Sequence, residues 1–167
     1  MNTTLASARL LLRPCALTDV ELLVQHWSQP GVRRYLFDDR ATNHEEVTGF
    51  VAQSLNTFAE RGFGLWVVLD KESGDFCGVC GFMDKDGTPD LLFSVEPESQ
   101  GKGLATESGA RVIAYACAEL GIRQIVATVD KPNLDSIRVL EKLGMQRTEE
   151  KLVSGNALLF YSYVAVV

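Results

Sequence analysis

Residues 91–106 hold the densest chemical signal in the chain. An apolar run over 91–95, rich in β-formers, is stopped by Pro97; Gln100-Gly101-Lys102-Gly103 follows, and apolar residues at helical spacing begin within a few positions. The order predicts a strand, a glycine turn and the N-terminus of a helix that starts at Thr106. Two glycines at alternate positions let the backbone bend and expose its N–H groups, while a first helical turn adds unpaired donors and partial positive charge. Such a turn either reverses the chain or forms an anion socket for a phosphate or pyrophosphate.

Two familiar phosphate loops do not fit. A P-loop needs Ser or Thr after its Gly-Lys pair, and here Gly101-Lys102 is followed by Gly103 and Leu104. The dinucleotide fingerprint needs a glycine where Thr106 stands, and it belongs in the first strand-to-helix turn. A second candidate element covers residues 133–145. Asn133 can cap a short helix, Ser136 in its first turn offers a hydroxyl towards the strand ends, Ile137, Leu140 and Leu143 face inward, and Gly144 stands at the C′ position. A capped core helix would use most of the same residues.

The elements that must position these groups follow from periodicity. A strand is expected over 9–13, stopped by Pro14. A helix follows from the box at Thr18-Asp19-Val20-Glu21 and ends before Pro30-Gly31, and a longer one runs from the box at Thr42-Asn43-His44-Glu45 to Gly62. Three strands over 63–69, 76–82 and 90–95 form an antiparallel meander. After the helix that ends at Gly121 come a buried strand over 124–129, the short helix, and a closing hairpin of 146–153 and 158–167 around Ser154-Gly155-Asn156. The order is β α α β β β α β α β β, too mixed for a bundle or a purely parallel sheet, and it fills a single domain over 1–167.

Composition narrows the function. At 167 residues, with 46% hydrophobic and 23% charged residues, the chain reads as one globular domain with a full core. No apolar run approaches the roughly 20 residues of a membrane span, and no basic-then-apolar leader opens the sequence, so a cytoplasmic protein with no membrane partner is expected. A net charge of −6 argues against nucleic acid and suits a cationic partner such as an amine. Cys15, Cys77, Cys80 and Cys117 read as small buried thiols of a reducing compartment. Cys77 and Cys80 are expected to face opposite sides of a strand, and no second ligand pair completes a metal site. His26, beside Trp27, and His44, in a capping box, read as structural.

The spelling Q-x-x-G-x-A by Gln100, Gly103 and Ala105 resembles the coenzyme A pyrophosphate loop of the GNAT superfamily of acetyl-CoA-dependent N-acetyltransferases. Residues 133–145 are similar to that family's second signature, N-x-x-S-x-x-x-x-x-K-x-G-F, with Met145 for Phe. The R-L-L-L-R-P opening and Leu91-Leu92-Phe93-Ser94-Val95 resemble the branch that contains the ribosomal-protein N-terminal acetyltransferases. The likeness covers nearly the whole chain. It implies an α+β fold with a mixed, mostly antiparallel splayed sheet flanked by helices, acetyl-CoA as cosubstrate, and a primary amine of a peptide N-terminus or small molecule as acceptor.

The resemblance also implies roles. Phe93, Ser94 and Val95 lie along the coenzyme arm, with the Val95 backbone pairing to it. Gln100, Gly101, Lys102, Gly103, Leu104, Ala105 and Thr106 hold the pyrophosphate through main-chain amides, and Asn133 touches the arm. Asp90, at the position of the family's acidic residue, is the candidate base, given burial or a water relay. Ser136 is the candidate donor to the leaving sulfur, because Leu140 stands where many members carry a tyrosine acid. Beside these, Lys102, Arg138 and Lys142 either approach the coenzyme phosphates or simply face solvent, and Tyr35, Asp38 and Asp39 lie in the loop that borders the acceptor side in this fold. A catalytically idle acyl-CoA-binding module and a nucleotide-binding protein are the alternatives. A monomer or a homodimer is expected, the latter if the strand over 158–167 is an exposed edge.

Overall fold

The computed structural model describes residues 3–166, apart from the Asp38 side chain. Its eight strands are β1 (Leu5–Ala6), β2 (Leu10–Pro14), β3 (Leu65–Asp70), β4 (Phe76–Lys85), β5 (Thr88–Val95), β6 (Gln124–Asp130), β7 (Gln146–Val153) and β8 (Asn156–Val164). They lie in the order β1-β2-β3-β4-β5-β6-β8-β7. All neighbours pair antiparallel except β5 and β6, which run parallel. The helices are α1 (Val20–Ser28), α2 (Pro30–Arg33), α3 (His44–Arg61), α4 (Leu104–Leu120) and α5 (Leu134–Lys142). This is the expected α+β architecture with two additions. β1 is too short to leave an alternating pattern, and α2 opens on Pro30, which is preorganised for the first helical position.

Both capping boxes are displaced. Asn43 caps α3 by accepting from the Glu46 amide at 2.9 Å, one residue later than the box at Thr42 suggests. Ahead of α1, residues Leu17–Asp19 form a 3-10 turn, and Thr18 is not the cap. The Asp19 carboxylate accepts from the Ala16 amide at 2.8 Å and from both terminal nitrogens of Arg13 at 2.8 Å. Charge-assisted bonds outcompete a neutral hydroxyl for the same turn.

The sheet separates two cores. On one face α4 and α5 cover Trp66, Cys80, Phe82, Leu91, Ile125 and Leu159; on the other α1, α2 and α3 cover Leu65, Val67 and Val79. Cys77 and Cys80 share the first core, contrary to simple alternation. The register between β3 and β4 slips so that Val68 pairs Gly78 and Leu69 pairs Phe76, and Cys77 is the extra residue of a bulge that resets the pleat. Gly78 follows at φ 155, and a Cβ there would collide with the Ser94 carbonyl of β5. Burial pushes the Cys15 and Cys80 thiols up to about 12.

The closing hairpin is also placed differently from expectation. β8 is internal, between β6 and β7, so it offers no free edge; Val167 lies outside the described residues. The outer strand is β7, whose exposed surface carries Arg147, Glu149, Glu150 and Lys151, charges that discourage edge pairing. Among the described residues, no helix is long and apolar enough to cross a membrane.

Candidate active site

The site opens where β5 and β6 part. The two strands share one register pair, Asp90 with Val126, and diverge towards their C-terminal ends. On its other side β5 pairs continuously with β4 up to Val95, and the Glu96 N–H donates to the Cys77 carbonyl at 2.8 Å. Alternation along an antiparallel ladder therefore turns the backbone groups of Phe93 and Val95 away from β4 and into the gap. They form a short strand edge that an extended ligand can pair. The gap belongs to a cavity of about 720 Å3, a size suited to a small-molecule or cofactor site.

At the wide end of the gap stands the N-terminus of α4. The helix begins at Leu104, two residues before the expected Thr106, because Gly103 at φ 77 takes the N-cap position in a left-handed conformation. Gly103 supplies no capping side chain, so the first-turn amides of Leu104, Ala105 and Thr106 have no side-chain cap where these residues line the cavity. Gly101 also lies at positive φ, 76. The Gln100 side chain points back, donating from Nε2 to the Val95 carbonyl at 3.0 Å, and fixes the loop to β5. This leaves the Val95 N–H and both Phe93 backbone groups as the usable edge.

The loop is braced from the link between β1 and β2. Glu107, in the first turn of α4, accepts from the Ser7 hydroxyl at 2.6 Å, the Arg9 amide at 2.9 Å and Arg9 Nε at 2.7 Å. Arg9 Nη1 donates to the Lys102 carbonyl at 3.0 Å. Burial alone would raise the Glu107 carboxyl, but the Ser7 and Arg9 bonds outweigh it and hold the carboxyl below its ordinary value. Lys102 lies outside the cavity lining, whereas Arg138 and Lys142 border it.

Across the gap, Asn133 caps α5 and holds Ser136. Its Oδ1 accepts from the Ser136 amide at 3.3 Å, and its Nδ2 donates to Ser136 Oγ at 2.9 Å. With that oxygen accepting from Asn133, the hydroxyl proton is available to the cavity that both residues line. Leu140 is buried in the core.

On the α1 and α2 side, Asp90, Leu92 and Ser94 share one face of β5, with Tyr35 and Arg34 at the opposite wall. Burial pushes the half-buried Asp90 carboxyl above its ordinary value, and Lys85 offsets this only in part. Asp39 is exposed and engaged by Arg33 Nε at 3.4 Å; the Asp38 side chain lies outside the described residues. The sequence reading takes His26 as structural and does not single out Glu96. His26 is buried, with Nε2 2.8 Å from Ser94 Oγ and Nδ1 3.0 Å from Glu96 Oε1. Nothing in the spacing of residues 26, 94 and 96 announces that contact, which the packing of α1 against the end of β5 creates. Among the described residues no cluster of His, Cys, Asp and Glu forms a metal site.

Known proteins resemble this chain in sequence and fold. Residues 9–146 match the family described as acetyltransferase (GNAT) domain. The uncharacterised N-acetyltransferase p20 of Bacillus licheniformis is 28% identical over 147 residues, 86% of this chain and 83% of its own. The spermidine N(1)-acetyltransferase of Escherichia coli K12 is 26% identical over 133 residues, 80% of this chain and 70% of its own. The ribosomal L7/L12 alpha-N-protein acetyltransferase RimL, solved in complex with coenzyme A, superposes with a TM-score of 0.79 at 16% identity, covering 96% of this chain and 97% of that one.

Proposed function

The chain belongs to the GNAT acetyltransferase family, and from that premise we propose that it moves the acetyl group of acetyl-CoA directly onto a primary amine, with both substrates held in one cleft. The observation that carries this reading is the meeting, in one cavity, of an open β5 edge with the uncapped N-terminus of α4. The edge suits the amide-bearing arm of the coenzyme, and the helix terminus suits its pyrophosphate. Gly101, Gly103, Leu104, Ala105 and Thr106 would hold the phosphates by main-chain amides, while Arg138 and Lys142 supply nearby positive charge. Lys102 and the Gln100 side chain serve the loop.

Holding amine and thioester together makes a bimolecular aminolysis effectively unimolecular. Asp90 takes a proton from the incoming ammonium, directly or through water; its burial-raised carboxyl is a better base than an exposed aspartate. Ser136, with its oxygen fixed by Asn133, donates towards the departing sulfur. The acceptor is a peptide N-terminus or a small-molecule amine, the two kinds named for the RimL and spermidine enzymes. Four free thiols suit a cytoplasmic setting.

The test pairs calorimetry of acetyl-CoA binding with release of coenzyme thiol across peptides with free N-termini, polyamines, amino acids and aminoglycosides. Binding with turnover of at least one amine is expected. Binding without turnover on any acceptor would favour an idle acyl-CoA-binding module, and no binding would remove the reading.

A further inference from the structure

Forming an amide from an ammonium removes two protons from nitrogen, one before attack and one as the C–N bond forms, and Asp90 accounts for the first. We propose that Ser94, His26 and Glu96 carry the second, with Ser94 facing the acceptor nitrogen and His26 acting as the base behind it. This rests on the acetyl-transfer reading above.

Hydrogen-bond accounting fixes the direction of the path. Glu96 accepts from Gln29 Nε2 on both carboxylate oxygens, at 3.1 and 2.9 Å, so His26 Nδ1, 3.0 Å away, is the donor of their bond. Burial lowers the imidazole's proton affinity, and the Glu96 charge and hydrogen bond recover only part of it, so the ring is neutral and Nε2 is an acceptor. Ser94 therefore gives its proton to His26 across 2.8 Å. Its oxygen also accepts from Trp27 Nε1 at 3.1 Å, which leaves one lone pair for the cavity that Ser94 lines. The rings of Phe76 and Trp27 pack on His26, and Glu96 is the charged group set against it among the described residues.

Placement agrees with the chemistry. Asp90 and Ser94 flank Leu92 on one face of β5, so a nitrogen over Leu92 sits about 7 Å along the strand from each, within reach of a side chain and one water. As nitrogen bonds the thioester carbon, its N–H proton passes through one water to Ser94 Oγ while the Ser94 proton passes to His26 Nε2. The N–H electron pair stays on nitrogen, and the C–S pair leaves with sulfur. Glu96 steadies the imidazolium, which returns its proton to the thiolate or to solvent through the same hydroxyl. A purely structural network would only tie α1 to the end of β5.

The experiment uses the full chain with acetyl-CoA and the amine from the panel above that the wild type acetylates fastest. Ser94→Ala is expected to lower kcat about 100-fold with acetyl-CoA affinity unchanged, and Ser94→Thr, which restores the hydroxyl, to recover most of the rate. Glu96→Gln, which keeps the side chain's shape and guards against misfolding of the alanine variant, should lower kcat about 10-fold, because the imidazolium loses its charged partner. Wild-type kcat in Ser94→Ala or Glu96→Gln, or a loss confined to acetyl-CoA affinity, would overturn the relay. So would an acetyl group found on Ser94 by intact mass after incubation without amine, which would make it a nucleophile. Failure of the wild type on every amine removes the relay together with the acetyl-transfer reading, whereas wild-type turnover with an unimpaired Ser94→Ala removes the relay alone.

Discussion

At the scale of single residues, the same carboxylate chemistry is tuned in opposite directions. Asp90 is raised by burial, whereas Glu107 is lowered by Arg9 and Ser7 despite burial. The first suits proton transfer and the second suits bracing. A base must be deprotonated to act, so activity through Asp90 falls as pH drops through its raised pKa. Asp90→Asn should abolish that acid limb and lower kcat about 100-fold, as read from the pH profile of coenzyme release with the preferred amine. Ser136→Ala should lower kcat more than acetyl-CoA affinity, because Asn133 fixes the hydroxyl oxygen and leaves its proton free; the opposite ranking would make Ser136 a binding residue. Asp90 and Ser136 were legible because each stands in a recognisable local spelling. His26 and Glu96 were not, since His26 reaches Ser94 and Glu96 across about 70 positions of chain and its contacts depend on how α1 seats.

At the scale of elements, glycine turns are the most readable feature and strand divergence the least. A positive φ is a local demand that Gly101 and Gly103 announce by their type. The parting of β5 and β6 is a missing ladder, and missing pairs leave no pattern in a sequence. The displaced cap before α1 and the bulge at Cys77 show the same limit, because a carboxylate or a register slip elsewhere decided which residue took the position. Gly103→Ala forces a side chain into the left-handed region at a cost of about 1–2 kcal/mol. If the loop relaxes to avoid that strain, acetyl-CoA affinity should fall about 10-fold, since that ratio corresponds to about 1.4 kcal/mol. Calorimetry checks it, with Gly49→Ala on α3, where a Cβ meets open space, as the control.

At the scale of the whole molecule, acid stability rests partly on the Arg13–Asp19 pair that seats α1 against β2. Burial alone would raise Asp19, but the Arg13 hydrogen bonds, the Ala16 amide and the Arg13 charge together hold it low. A carboxyl lowered in the fold contributes stability that is complete above its unfolded pKa, near 3.8, and is lost as pH falls through the folded value. Asp19→Asn should therefore cost about 2 kcal/mol at neutral pH, with the gap from the wild type shrinking below pH 3.8 in urea titrations. The α+β class followed from the alternation of strand and helix periods. The internal place of β8 did not, because its hydrophobicity fits either an edge or a middle strand.

The sheet also divides labour. One core anchors the helices beside the glycine loop, and the other anchors those on the side of the cavity walled by Arg34 and Tyr35, with β-strand backbone between them. Under the proposed chemistry, substitutions in the N-terminal helices can retune which amine is admitted while the opposite core keeps its grip on the donor. The protein is built like a vise with one fixed jaw and one replaceable jaw, and a chimaera exchanging the replaceable jaw would inherit a new clientele without relearning the reaction.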